Sequence, residues 1–126
     1  MSGEMQLKIK IQIYCGAEIA MGPGKADLLD AIHEHGSISA AGRAMEMSYR
    51  RAWLLVDAMN RCWQEPLVHT VPGRSEGSGA RLTKMGEQVL AHYRALQQSL
   101  RGAAQGKDQA VLSQLLLTEP RVSQKA

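Results

Sequence analysis

Ser48, Tyr49, Arg50 and Arg51 are four consecutive side chains able to donate hydrogen bonds, the last two as planar, permanently charged forks. A guanidinium fork matches the O6 and N7 edge of guanine or the oxygens of a phosphate. The chemistry on offer is therefore recognition of a polyanion, and nothing nearby suggests bond-making. His33 and His35 stand two apart at a helix end, about 200° around the axis, so they cannot share a metal on one face. His69 and His92 stand alone. No paired carboxylates, nucleophile–base motif or phosphate-binding loop occurs, and the glycine-rich run 73–79 suits a turn better than a nucleotide cradle. Cys15 and Cys62 form neither a disulfide framework nor a zinc ligand set, and Cys62, on a helix beside its apolar face, suits inert packing. No catalytic residue, metal site or cofactor is expected.

The charge pattern points the same way. The chain of 126 residues carries a formal charge of +3. Segment 43–84 holds Arg43, Arg50, Arg51, Arg61, Arg74, Arg81 and Lys84 against Glu46, Asp57, Glu65 and Glu76, while basic and acidic residues cancel elsewhere. The whole excess thus lies around the two arginines, as a phosphate-backbone partner requires. No stretch approaches the roughly 20 apolar residues of a membrane span, and the N-terminus lacks an export signal, so a cytoplasmic protein without membrane contact is expected.

The elements that must position these side chains lie within 36–63. Ser37 is placed to cap a first helix that buries Ile38, Ala41 and Met45, with Met45, Glu46 and Met47 as a turn. Ser48 caps a second helix reaching about Trp63. At about 100° per residue, Tyr49, Ala52, Val56, Met59 and Trp63 share a core face, Arg50, Leu54, Asp57 and Arg61 point to solvent, and Arg51 takes a flank. Tyr49 and Trp53 suit either contact or core; for Trp53 core is the better fit. Two short helices about a three-residue turn form a helix-turn-helix pair.

Outside this pair, residues 7–14 alternate Leu7, Ile9, Ile11 and Ile13 with polar side chains, which predicts a half-buried strand. Residues 16–24 read as loop, and 25–35 as a helix burying Leu28, Leu29 and Ile32. Residues 67–71 and 80–82 predict a hairpin with a glycine-rich tip, Arg74 and Arg81 on or beside it and Glu76 opposing close approach to phosphate. Thr83 caps a helix from Lys84 to about Gly102 with a stripe of Met85, Val89, Tyr93, Leu96 and Leu100. So long a stripe exceeds what one small domain can cover. Pairing of two copies through Val89, Tyr93, Leu96 and Leu100 is expected. Val111, Leu112, Leu115, Leu116 and Leu117 suit one short final helix that either packs on the dimer, the commoner outcome, or docks a partner.

In this order of elements, residues 7–102 resemble the N-terminal DNA-binding domain of the ModE family of molybdate-responsive transcriptional regulators. The residues carrying the resemblance are Gly36-Ser37-Ile38-Ser39 with Ala40-Ala41, Ser48-Tyr49-Arg50-Arg51-Ala52-Trp53, Met59-Asn60, Leu67-Val68, and Leu82-Thr83-Lys84-Met85-Gly86. The front half also resembles the helix-turn-helix of LysR-type regulators, which is less similar across the Tyr-Arg-Arg-Ala-Trp segment and the hairpin. The resemblance implies an α+β, mainly α fold: a winged helix-turn-helix with an N-terminal strand, a β-hairpin wing and a long C-terminal helix. It departs at Glu46, where the turn usually has glycine, at a cost on the order of 1 kcal/mol. The 24 residues after Gly102 are too few for the β-barrel oxyanion module of molybdate-sensing relatives, so molybdate binding is not expected of them.

A DNA-binding domain with its dimerisation helix is therefore expected over 1–104, and a tail over 105–126. The expected partner is double-stranded DNA, read by a homodimer at an inverted repeat. Arg50 and Arg51 would contact base edges or phosphates, Arg43, Ser48 and Tyr49 would position the backbone, and Arg74, Arg81 and Lys84 would add phosphate contacts. The alternative is an interaction protein that pairs, through the long helix and the leucine cluster, with a full-length regulator or another partner.

Overall fold

The computed structural model describes residues 5–74 and 77–125, and of residues 72–74, 77 and 78 only the backbone. Its elements are β1 (Ile13–Cys15), β2 (Glu18–Met21), α1 (Pro23–His35), α2 (Ile38–Ala44), α3 (Tyr49–Cys62), β3 (Val68–Arg74), β4 (Gly77–Leu82), α4 (Lys84–Ala104) and α5 (Lys107–Leu115). The fold is α+β and mainly helical, two small antiparallel hairpins accompanying the helices, an arrangement compatible with a winged helix.

Hydroxyl side chains set three helix starts. Ser37 accepts a hydrogen bond from the Ala40 amide at 3.0 Å, Ser48 from Arg51 at 3.1 Å, and Thr83 from Gly86 at 2.9 Å. Each satisfies an amide that has no partner within its own helix. Gly36 ends α1 with φ 78°, a left-handed cap that favours glycine. Its carbonyl accepts from the Ala80 amide at 2.8 Å, which ties the entry to α2 to the second hairpin.

Met21, Leu28, Leu29, Ile32, Met59 and Leu67 are fully buried at the centre. They come from β2, α1, α3 and the lead-in to β3, so the core glues the helix-turn-helix pair to both hairpins. Asn60 reinforces this from the last turn of α3. Its Oδ1 accepts from the amides of Leu67 (2.8 Å) and Val68 (3.0 Å), and its Nδ2 donates to the Val68 carbonyl at 3.1 Å. Replacing Asn60 with Leu strands two half-buried amides and a carbonyl, and a loss of about 2–4 kcal/mol in urea unfolding is expected. A change under about 0.5 kcal/mol would show that water replaces the amide at no cost.

The N-terminus differs from its expected form. Only Ile13–Cys15 of the alternating segment joins a ladder, and its partner is β2, inside the stretch expected to be loop. Residues 5–12 run without a ladder partner among the described residues, and Leu7 is exposed. Ile11 and Ile13 still pack against the core, and the Tyr93 hydroxyl donates to the Ile11 carbonyl at 2.7 Å. Alternation reported the inward face at Ile11 and Ile13 and not at Leu7. It did not report whether a neighbouring strand existed.

Burial raises the Tyr93 phenol above its ordinary value of 10.0, because a buried phenolate loses hydration. The folded state therefore holds that proton more tightly than the unfolded chain. The resulting stability is complete below about pH 10 and is lost as pH rises beyond it. The Cys62 thiol, raised mainly by burial from 9.0, acts in the same sense from a slightly lower pH. Urea midpoints measured from pH 8 to 11 are expected to fall at the alkaline end. Tyr93→Phe should lose part of that fall, together with about 1 kcal/mol for the lost hydrogen bond.

The tail forms the short helix expected of it. α5 has no buried residue, however, and Val111, Leu112, Leu115, Leu116 and Leu117 are all exposed.

Candidate nucleic-acid interface

α2 and α3 enclose the expected turn. Glu46 takes φ 58°, the left-handed conformation anticipated at that position, and the Met47 amide donates to the Gly42 carbonyl at 2.9 Å. Ser48 is extended, and with its hydroxyl on the Arg51 amide it fixes the direction in which α3 departs.

Ala52, Val56 and Met59 form the buried face of α3. Opposite that face lie Arg50, Leu54, Asp57 and Arg61, one line down the helix at spacings of three and four. Arg61 is occupied: its Nε donates to Asp57 at 2.9 Å and its Nη2 reaches Glu18 at 3.4 Å, bonds that raise its pKa further. Arg94 on α4 is likewise held by Asp27 and Asp30 of α1. Burial opposes its charge, yet the two carboxylates outweigh that and raise its pKa. Among the described residues, Arg50 and Arg51 make no ion pair. Positive charge is thus neutralised at the far end of α3 and left free at its start.

Arg43, Ser48, Tyr49, Arg50 and Arg51 are all exposed and cluster about the turn. Arg43 donates a long 3.4 Å bond to Ser39. Arg81 and Lys84 are exposed at the base of the hairpin, where Leu82 pairs with Val68 and α4 begins. The backbone of Arg74 lies in β3, but its side chain and all of Glu76 fall outside the described residues.

Two aromatic side chains that suit either contact or core both face solvent. Tyr49, assigned to the core face, is 57% exposed, and Trp53, for which core was preferred, is 46% exposed. Both lie on the flank of α3 turned toward β3 and β4. With Ser37, Ser39, Thr70, Val71 and Gly79 they line a cavity of about 230 Å³. The start of α3 reaches the core through Ala52, fully buried, while Tyr49 and Trp53 to either side of it stand beyond the core's edge.

The expected pairing residues are also divided. Tyr93 is spent within the chain, buried and bonded to Ile11. Val89 is half-buried against the core, whereas Leu96 and Leu100 are 43% and 38% exposed. Leu96 and Val89, with Ile13, Trp63 and Met85, line an apolar groove along α4.

The geometry is that of a capped helix carrying two free arginines at its start, with a hairpin alongside. The chain is 41% identical over 78 residues to the molybdenum transport protein ModE of Azotobacter vinelandii, covering 62% of this chain and 29% of that protein. Its relatives are ModE and Mop proteins. It is 46% identical over 77 residues to the molybdenum-pterin-binding protein MopB of Rhodobacter capsulatus, 61% of this chain and 28% of that one. It is 31% identical over 94 residues to the DNA-binding transcriptional dual regulator ModE of Escherichia coli (strain K12), 75% of this chain and 36% of that one. The chain therefore spans about a third of the length of these ModE and Mop relatives. No family model matches it. No helix among the described residues is long and apolar enough to cross a membrane.

Proposed function

We propose that the chain is a sequence-specific reader of double-stranded DNA and a transcriptional regulator, with α3 in the major groove and the β3–β4 hairpin as its wing. One observation carries this reading: Arg50 and Arg51 stand exposed and, among the described residues, without a carboxylate partner at the start of a helix capped by Ser48. The ModE relatives described as transcriptional regulators support it. Arg50 and Arg51 take base edges or phosphates. Arg43, Ser48 and Tyr49 hold the flanking backbone, and Arg81, Lys84 and Arg74 add phosphate contacts.

A homodimer on an inverted repeat is part of this proposal. Leu96, Leu100 and the exposed leucines of α5 supply apolar surface that a lone small domain rarely leaves in water. The same surface also favours a second reading, pairing with a full-length regulator. Light scattering at tens of micromolar decides between them: homodimers support the first, and monomers that pair only with another protein support the second.

The test of the main reading is selection of bound sites from random duplex DNA with purified protein, followed by a salt titration. A recurrent, inverted-repeat site is expected, with log Kd rising against log salt by about 0.9 per phosphate contacted. Binding without any preferred sequence, or without salt dependence, overturns it.

A further inference from the structure

Leu54 stands in the middle of the solvent line of α3, one turn beyond Arg50, and is 47% exposed. Trp53 lies beside it, and Val71 of the hairpin is 46% exposed on the far wall of the adjoining cavity. A polar side chain at position 54 would serve an ordinary solvated helix equally well and leave less apolar surface in water. The large exposed apolar side chains of α3 are Tyr49, Trp53 and Leu54, and they interleave with its two free arginines.

A partner for this surface must be polyanionic, to satisfy Arg50 and Arg51, and must present a small apolar group beside an acceptor-rich edge. The major groove of DNA offers one such group, the C5-methyl of thymine. Four residues of helix advance about 6 Å, less than two base-pair steps of about 3.4 Å. Arg50 and Leu54 can therefore address bases no more than about two pairs apart.

We propose that Leu54 and Trp53 are specificity-determining residues that pack on thymine methyl groups, next to a guanine or phosphate taken by Arg50. This rests on the DNA-reading function proposed above. Leu54 supplies the contact on the outward line of α3. Trp53 supplies it on the flank facing the hairpin, where the indole also closes the cavity against water. The site selected by the protein then carries thymine within about two base pairs of the position set by Arg50.

Replacing thymine by deoxyuridine removes the methyl and nothing else, so it tests the contact directly. In a duplex bearing the selected site, thymines beneath α3 are exchanged one at a time and Kd is measured for the unaltered protein, Leu54→Ala and Trp53→Ala. The unaltered protein is expected to lose about fourfold per contacted methyl, the equivalent of one buried carbon. Leu54→Ala should bind the thymine and uracil duplexes equally at one position, and Trp53→Ala at another. Both side chains are exposed, and thermal unfolding checks that each variant is folded. If the unaltered protein binds its site yet every exchange changes Kd by less than about 1.5-fold, the thymine reading is overturned while DNA recognition stands. If no site is selected at all, both fall.

Discussion

Replacing Arg50 and Arg51 together with alanine is expected to cost at least about thirtyfold in affinity for the selected site and to leave the fold intact. Each bidentate contact to a base contributes roughly 1–3 kcal/mol of discrimination, and each 1.4 kcal/mol is a factor of about ten. Two such contacts together span roughly 2–6 kcal/mol, from about thirtyfold to more than about ten-thousandfold. Neither arginine has an ion pair among the described residues, so their removal strands no partner inside the protein. Positive charge at a helix start opposes the helix dipole, so the double variant should melt at the same temperature or slightly higher. Residual binding through Arg43, Arg81 and Lys84 should be weak, nonspecific and less steep in salt. Unaltered affinity would remove α3 from the interface and with it the proposed function.

Gly86→Ala is expected to be the most damaging single-atom change in the body of the protein. A Cβ at position 86 would fall well inside van der Waals contact distance of the Leu67 carbonyl oxygen, with the Leu67 carbonyl carbon at 3.0 Å and Cα at 3.3 Å. These are backbone atoms, and they are held from several sides. The Leu67 carbonyl accepts from the Thr83 amide at 2.9 Å, the Thr83 hydroxyl donates to the Pro66 carbonyl at 2.7 Å, and Asn60 grips the Leu67 amide. Yielding means prising the start of α4 from the start of the hairpin, so a loss of about 3 kcal/mol or more is expected. That corresponds to a fall in melting temperature of roughly 10 °C for a domain of this size. Gly102→Ala is the matched control. Nothing lies within 4 Å of its added Cβ, and in helix α4 it should stabilise by about 0.5–1 kcal/mol. Equal effects from the two substitutions would show that the close approach at Gly86 carries no energetic weight.

The sequence announces what local chemistry controls. Ser37, Ser48 and Thr83 each cap the helix assigned to them, and Gly36 and Glu46 take the left-handed conformations their positions demand. Those features depend on a few neighbouring atoms, so spacing reveals the caps, and the family resemblance the turn at Glu46. What failed depended on atoms distant in the chain. Tyr49 belongs to the apolar stripe of α3 by period but lies beyond the rim of the core, and periodicity carries no information on where a core ends. β2 was missed because Glu18-Ile19-Ala20-Met21 is short and weakly patterned, and it is a strand only because Ile13–Cys15 lies next to it. Asn60 offered an amide at the end of a helix, and only the fold shows it reaching the start of β3. For the candidate interface, the cluster of Arg43, Ser48, Arg50 and Arg51 is legible from helix geometry, whereas the cavity that Trp53 lines with β3 and β4 exists only once the hairpin is in place.

Asn60, Thr83 and Gly86 converge on the same three residues, Pro66, Leu67 and Val68, from the end of α3 and the start of α4. α3, the β3–β4 hairpin and α4 are thereby clamped as a single caliper arm with one fixed opening. In the proposed pair, a signal arriving along α4 has no joint within either arm to bend. It acts on the gap between the two arms, and a change of that gap by one base-pair step takes one α3 out of phase with the groove while the other stays seated.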